Sequence, residues 1–363
     1  MKNTEPPELW TQLKEAGLAD GDLPITSDTV TPWYVRTMLG IAGWIGALFL
    51  LGFVGAGFAF VMKSVAASLL VGATLCAAAA ALFRAKPGSD FAAQFAFAVS
   101  LAGQALILTG LAQEWHSHFN MIATVMAAVE AALFLLMPNF LHRVWAASSG
   151  IYAAAFVFND SGLHAYTPAL LLAAFAWVWL NEFSHPRKAS LLRALGYGLT
   201  LVALFNLFTT GVYGMGLMTG GRHTALALPG GALNFWIGAA LTGAVLLMTV
   251  QKLLNREGVP AMTGPGRAAL AAAALLALIS LKAPGIGLTA TILLVGYAQG
   301  NRVLAGLGIL GLLAYLSHYY YSLEFTLLEK SALMACSGIA LLAARLALRH
   351  WWPESGKEAN HHA

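Results

Sequence analysis

Apolar runs of roughly 20 residues, repeated from residue 38 to residue 349 with only short polar breaks, are the feature that most constrains this chain. A helix rises 1.5 Å per residue, so about 20 residues cover the ~30 Å hydrocarbon core of a bilayer. No other fold class accommodates so many such runs, because backbone polar groups in lipid must be satisfied within the segment. The predicted fold is therefore all-α, a polytopic transmembrane helical bundle of about 12 spans, with about 10 as the fallback. The runs cover 38–62, 65–83, 91–113, 119–137, 142–158, 166–183, 191–210, 232–250, 267–281, 284–300, 302–320 and 325–349.

Composition agrees. The chain has 363 residues, of which 59% are hydrophobic and 10% charged, against about 25% charged in soluble proteins. Its net charge of +4 does not point to nucleic acid, because the cations flank spans, as topology signals do. Cys76 and Cys336 both lie in apolar runs, so there is no disulfide framework and no CxxC site. No motif calls for a cofactor.

The cations fix the orientation expected of the bundle. With the spans laid end to end, Lys63, Arg222, Lys282 and Lys330 fall on one side, and the other 16 of the 20 Lys and Arg residues fall with the amino terminus. Missing or adding one span would reverse every later loop and destroy the split, so the number of crossings is even and both termini are expected in the cytoplasm. Residues 267–300 are the exception to a firm count. The two runs there are short and divided by Lys282 and Pro284, so a re-entrant hairpin is the alternative to a crossing. A crossing places the Lys282 ammonium at the outer surface, whereas a re-entrant tip leaves it in hydrocarbon.

Three regions follow. Residues 1–35 form a polar segment in which Leu9, Trp10, Leu13 and the stop at Gly17 predict a short amphipathic helix, lying on the membrane or in solvent. Residues 36–350 form the membrane domain, which the loop at 181–190 divides into six spans plus six, and 351–363 form a cytoplasmic tail. The opening run carries Gly40, Gly43 and Gly46 at three-residue spacing, and Gly306, Gly308 and Gly311 return to the pattern. Small residues so spaced let helices approach closely. The glycine-rich loop 211–232 lacks the strand and helix that a phosphate cradle requires.

Glu130, near the middle of the fourth run, is the ionisable residue most in need of explanation. An ionised carboxylate at that depth costs about 2.5–3.5 kcal/mol on insertion scales, and no Lys or Arg sits at matching depth. Gln94, Gln104, Asn206, Ser148 and Ser149 are the candidate partners. Two readings fit: a proton or cation relay, and a satisfied acid that holds helices together. The outer side gathers Glu114, His116, His118, Asp160, His164, His223, His318, Glu324 and Glu329. Of these, His116, His118 and His164 are the only candidate metal ligands, and HxH spacing without a third fixed ligand gives no metal site. Tyr319, Tyr320 and Tyr321 read as an interfacial aromatic belt. Lys330 then snorkels to the headgroups or pairs with Asp160 or Glu114, and Tyr320 and Glu324 share a face if the helix continues.

From Lys282-Ala-Pro to Arg345, the residues Gly306-Leu-Gly308, Tyr319 to Tyr321, Thr326-Leu-Leu, Lys330-Ser331 and Gly338 ahead of Leu341-Leu342 resemble the membrane family known as domain of unknown function 4401. The segment Leu9 to Gly17 resembles the start of a related membrane family. The resemblance implies a bacterial inner-membrane protein, encoded beside a small membrane-anchored protein named for a GDYxxLxY motif. That motif is absent from this chain, which would be the larger partner. The family carries no established activity and hence no catalytic residues. Three functions are therefore expected, in descending order: the multi-span subunit of a membrane complex, a secondary transporter using Glu130, and an integral-membrane enzyme built on the outer histidines and carboxylates.

Overall fold

The computed structural model describes residues 33–57, 61–86, 88–209 and 231–322, together with isolated positions outside these ranges. Among the described residues there are eleven α-helices and no strands: α1 (Trp33–Gly57), α2 (Val65–Ala85), α3 (Asp90–Glu114), α4 (Phe119–Leu136), α5 (Phe140–Phe158), α6 (Thr167–Asn181), α7 (Ala189–Thr209), α8 (Gly231–Arg256), α9 (Gly264–Lys282), α10 (Pro284–Ala298) and α11 (Arg302–Ser322). Each overlaps one of the first eleven predicted runs; the twelfth and the amino-terminal amphipathic helix lie outside the described residues except for isolated positions. Seven helical segments are long and apolar enough to cross a membrane, by length and composition. That is the architecture of a membrane-spanning helical protein.

Local signals explain the helix ends. Ser64 caps α2, Asn139 caps α5 and Thr263 caps α9, each accepting a hydrogen bond from a backbone N–H in the first turn, as short oxygen-bearing side chains do at helix starts. Proline occupies the first turn of α6, α9 and α10, where its missing N–H costs nothing. The chain leaves α8 at Gly258 and α10 at Gly300, with φ of 67° and 63°, a left-handed conformation that glycine adopts without strain.

The chain divides into two compact units, residues 1–107 and 108–363. In the first, Gly43 of α1 lies against the Phe91 carbonyl and Gln94 of α3, and Gly72 of α2 meets Gly103 of α3. A Cβ on either of the latter two would come 2.7 Å from the other's carbonyl oxygen, so these helices touch backbone to backbone, as small-residue contacts allow in lipid. Gly43 fulfils the close approach expected of the first run.

In the second unit α10 lies at the centre, packed against α6, α7, α8, α9 and α11. It and α6 are both 15 residues long, about 22 Å at 1.5 Å per residue and thus shorter than the ~30 Å apolar layer. Both are buried around most of their circumference, as expected of helices apolar on every face. The core joins Leu172, Phe175 and Trp179 of α6 to Val202 and Ala203 of α7 and to Leu288, Ile292 and Val295 of α10. The α10 threonines Thr289 and Thr291 donate to the carbonyls of Gly285 and Gly287 one turn earlier, so the helix buries no unspent hydroxyl hydrogen there. Gly308 of α11 abuts the Leu293 backbone, and Gly311 abuts Leu204 and Thr289, whereas Gly306 has nothing within 4 Å among the described residues. Packing thus accounts for two of the three glycines in that run.

Candidate functional site

Glu130 is fixed by the pairing of α4 with α5. Its side chain is 2% exposed, and a Cβ added at Gly150 of α5 would lie 3.1 Å from the Glu130 Cβ. A side chain at position 150 would crowd the Glu130 Cβ, so the glycine favours this close approach of the two helices. The Oε2 atom of Glu130 has no hydrogen-bond partner among the described residues. Three of the partners expected for it bond elsewhere: Gln94 accepts from the Trp44 indole at 2.9 Å, Gln104 donates to Ser100 at 3.3 Å, and Ser148 donates to the Val144 carbonyl at 2.8 Å. Gln94 and Gln104 belong to the first compact unit. Asn206, in α7, is 2% exposed and engaged.

Along the α4–α5 pair runs an apolar groove of about 400 Å³, lined by Ala127, Ala131 and Leu135 of α4, by Ala146, Gly150 and Ala154 of α5, and by Leu195 of α7, while Glu130 itself is not among the residues that line it. Ala127 and Ala131 flank Glu130 on its own helix, and Gly150 is the residue it packs against.

A second polar assembly, not anticipated from the sequence, sits where α6 and α10 end. Glu182 follows α6 and accepts from Arg193 Nε of α7 at 2.8 Å; the Glu182 side chain is 3% exposed and that of Arg193 52%. Gln299, after α10, donates to the Trp179 carbonyl. Tyr197 and Asn301 pair in both directions, the phenol donating to Asn301 Oδ1 at 3.1 Å and the Asn301 amide donating back at 2.9 Å. Asn301 Oδ1 also accepts from Leu304 N at 3.1 Å and so caps α11. Trp179 and Tyr197 meet edge to face at 5.1 Å, and a Cβ on Gly196 would come 2.7 Å from the indole. These bonds fasten the α10–α11 hairpin to the α6–α7 hairpin. The one sequence signal was the Gly300-Asn301 pair, which reads as a helix stop and a cap; a partner 104 positions away leaves none.

The predicted outer set is dispersed. Glu114, His116, His118 and Asp160 are exposed, and His164 and His318 are half-buried. Asp160 accepts from the Asn120 amide, a neighbour not foreseen for it. No group of three His, Cys, Asp or Glu residues close enough to hold a metal forms among the described residues, which His116, His118 and His164 include. Tyr319 stacks on Tyr315 at 5.9 Å, and Tyr315 itself is buried against Gly285. The first tyrosine of the expected belt thus faces protein on one side. Tyr320 is half-buried and Tyr321 belongs to α11, while Glu324, Glu329, Lys330 and His223 lie outside the described residues. Lys282, the last residue of α9, is exposed.

Comparison with curated proteins and with solved structures gave no match. A family model does match, over residues 32–350, which takes in all eleven helices described above and the stretch from Lys282 to Arg345 that carries the resemblance. The chain belongs to the family described as domain of unknown function DUF4401.

Proposed function

We propose that this chain is a multi-span protein of the bacterial inner membrane, with both termini cytoplasmic, and that it is a secondary transporter in which Glu130 relays a proton or cation. The observation that carries the reading is the Glu130 carboxyl, buried within an apolar helix pair with Oε2 unpartnered among the described residues. A carboxyl retained only as helix glue would be spent on a hydrogen bond, whereas intramembrane acids facing a bundle interior mark ion pathways. The 16-to-4 cation split of the sequence supports the orientation. The short α6 and α10 fit the interrupted helices that line transport paths.

The test uses inside-out membrane vesicles carrying an acid-interior gradient reported by a pH-sensitive dye. A panel of permanently charged organic cations is added. With wild-type protein a transported member is expected to discharge part of the gradient, and Glu130→Gln is expected to abolish the response. A response in Glu130→Gln equal to wild type would remove Glu130 from the relay.

A second reading, favoured by family membership, concerns assembly. The chain is then the larger subunit of a complex with a small membrane-anchored protein of the GDYxxLxY type. Purification from the native host distinguishes this reading, since it requires a stoichiometric small partner and the transport reading does not.

A further inference from the structure

We infer that the end of the second unit where α6, α8 and α10 finish is a docking surface for anionic phospholipid headgroups. The inference rests on the chain spanning a membrane, and on neither the transport reading nor the side on which the termini lie.

Contacts bring these three helix ends together. Gln299 bonds the Trp179 carbonyl and Asn301 bonds Tyr197, which ties the α10–α11 turn to the α6–α7 hairpin. Leu253, near the end of α8, packs against the core that holds Trp179 and Val295. Folding thereby collects cations from three separate turns. Arg187 and Lys188 precede α7, Lys252 and Arg256 end α8, Arg267 stands at the start of α9 and Arg302 opens α11, and all of them are exposed. Glu257 is the one exposed acid among the described residues of those turns.

Nothing described in the fold neutralises this charge. The ion pair at this end joins Glu182 to Arg193, and no carboxylate among the described residues pairs with any of the other cations. The helices α7, α9 and α11 begin here, and none has an acid in its first turn. A helix start carries partial positive charge and favours an acid, so here like charge meets like charge. An external anion relieves it.

The position of the cations along the helices decides which anion. All of them lie near the ends of the segments Pro186–Leu207, Leu233–Arg256, Gly264–Lys282 and Arg302–Tyr320, each long and apolar enough to cross a membrane. Lipid phosphates lie where such spans leave the hydrocarbon, so a headgroup meets these side chains without leaving its place in the bilayer. A nucleic acid or an acidic protein would have to enter the headgroup layer to do the same. Two large side chains share the rim: Tyr297 near the end of α10 is 83% exposed, and Met262 in the α8–α9 turn 84%. They suit the boundary between headgroups and acyl chains, and a water-borne polyanion gains nothing from them.

Native mass spectrometry of the full chain in detergent, incubated with equal amounts of phosphatidylglycerol and phosphatidylcholine of the same acyl chains, tests the assignment. Wild type is expected to retain phosphatidylglycerol in at least ~10-fold excess, as attraction of several basic residues to an anionic surface requires. A variant combining Arg187→Gln, Lys188→Gln and Arg302→Gln is expected to cut that excess at least ~3-fold. Should it fail to elute as a single folded species, Lys252→Gln with Arg256→Gln and Arg267→Gln takes its place with the same expectation. Lys282→Gln, at the other end of α9, is expected to leave the excess unchanged. Equal retention of the two lipids by wild type overturns the inference, and so does displacement of phosphatidylglycerol by a single-stranded oligonucleotide. An undiminished excess in a folded triple variant, or its loss in Lys282→Gln, overturns the placement. None of these variants alters Glu130, so absence of lipid preference beside a Glu130-dependent vesicle response rejects this inference alone.

Discussion

Gly238→Leu is expected to abolish the folded protein, whereas Gly306→Leu is expected to leave it intact. A Cβ at Gly238 of α8 would lie 2.0 Å from the Ala165 carbonyl oxygen, and at Gly306 it would meet nothing within 4 Å among the described residues. The obstacle at Gly238 is backbone, which has no rotamer to escape into. Ala165 is held in place by its neighbours: Tyr166 donates to Asn234 of α8 at 3.0 Å, and Thr167 bonds Asn159 across the turn that precedes α6. Overpacking ordinarily costs ~1–3 kcal/mol, and a clash of this depth between two backbones belongs at or above the top of that range. Detergent size-exclusion profiles and thermal unfolding of the two variants check it. Equal stability of both would mean that α8 does not lean on the approach to α6.

Arg193→Ala is expected to lower stability by about 1–3 kcal/mol, and adding Glu182→Gln to it is expected to recover most of the loss. The reason is the asymmetry of the pair. Glu182 is 3% exposed and Arg193 52%, so removal of the arginine strands a buried acid and costs water-exposed surface little. Because half of the arginine remains in water, the loss stays below the ~3–5 kcal/mol of a fully buried pair. Glutamine keeps the shape of Glu182 without its charge. Thermal unfolding of Arg193→Ala and the double variant gives the ordering, and a double variant no more stable than Arg193→Ala would show that the glutamate's charge is not what the arginine neutralises.

Helix positions were legible because apolar length is a local property: every described helix overlaps a run read from the sequence. Glycine contacts were legible in kind, since Gly43, Gly308 and Gly311 do sit against neighbouring helices, but spacing alone could not separate them from Gly306. The central place of α6 and α10 was not legible. Their apolar character on all faces fits a buried helix and a lipid-facing one equally well, and only the contacts of α10 with five neighbours decide. Glu130 stood out by its depth, yet Gln94 and Gln104 could be assigned to it only by supposing which helices meet. In the structure those amides serve Trp44 and Ser100. Glu182 and Arg193, and likewise Tyr197 and Asn301, carry no mark of their pairing in the sequence, because it depends on how two hairpins fold back together.

The account turns on whether Glu130 moves charge within the membrane. Current recorded on a solid-supported membrane from reconstituted protein tests this most directly. A rapid jump in the concentration of a cation that discharges the vesicle gradient is expected to give a transient current with wild-type protein above that of protein-free liposomes, and only the protein-free current with Glu130→Gln. The same transient from both proteins would contradict the claim.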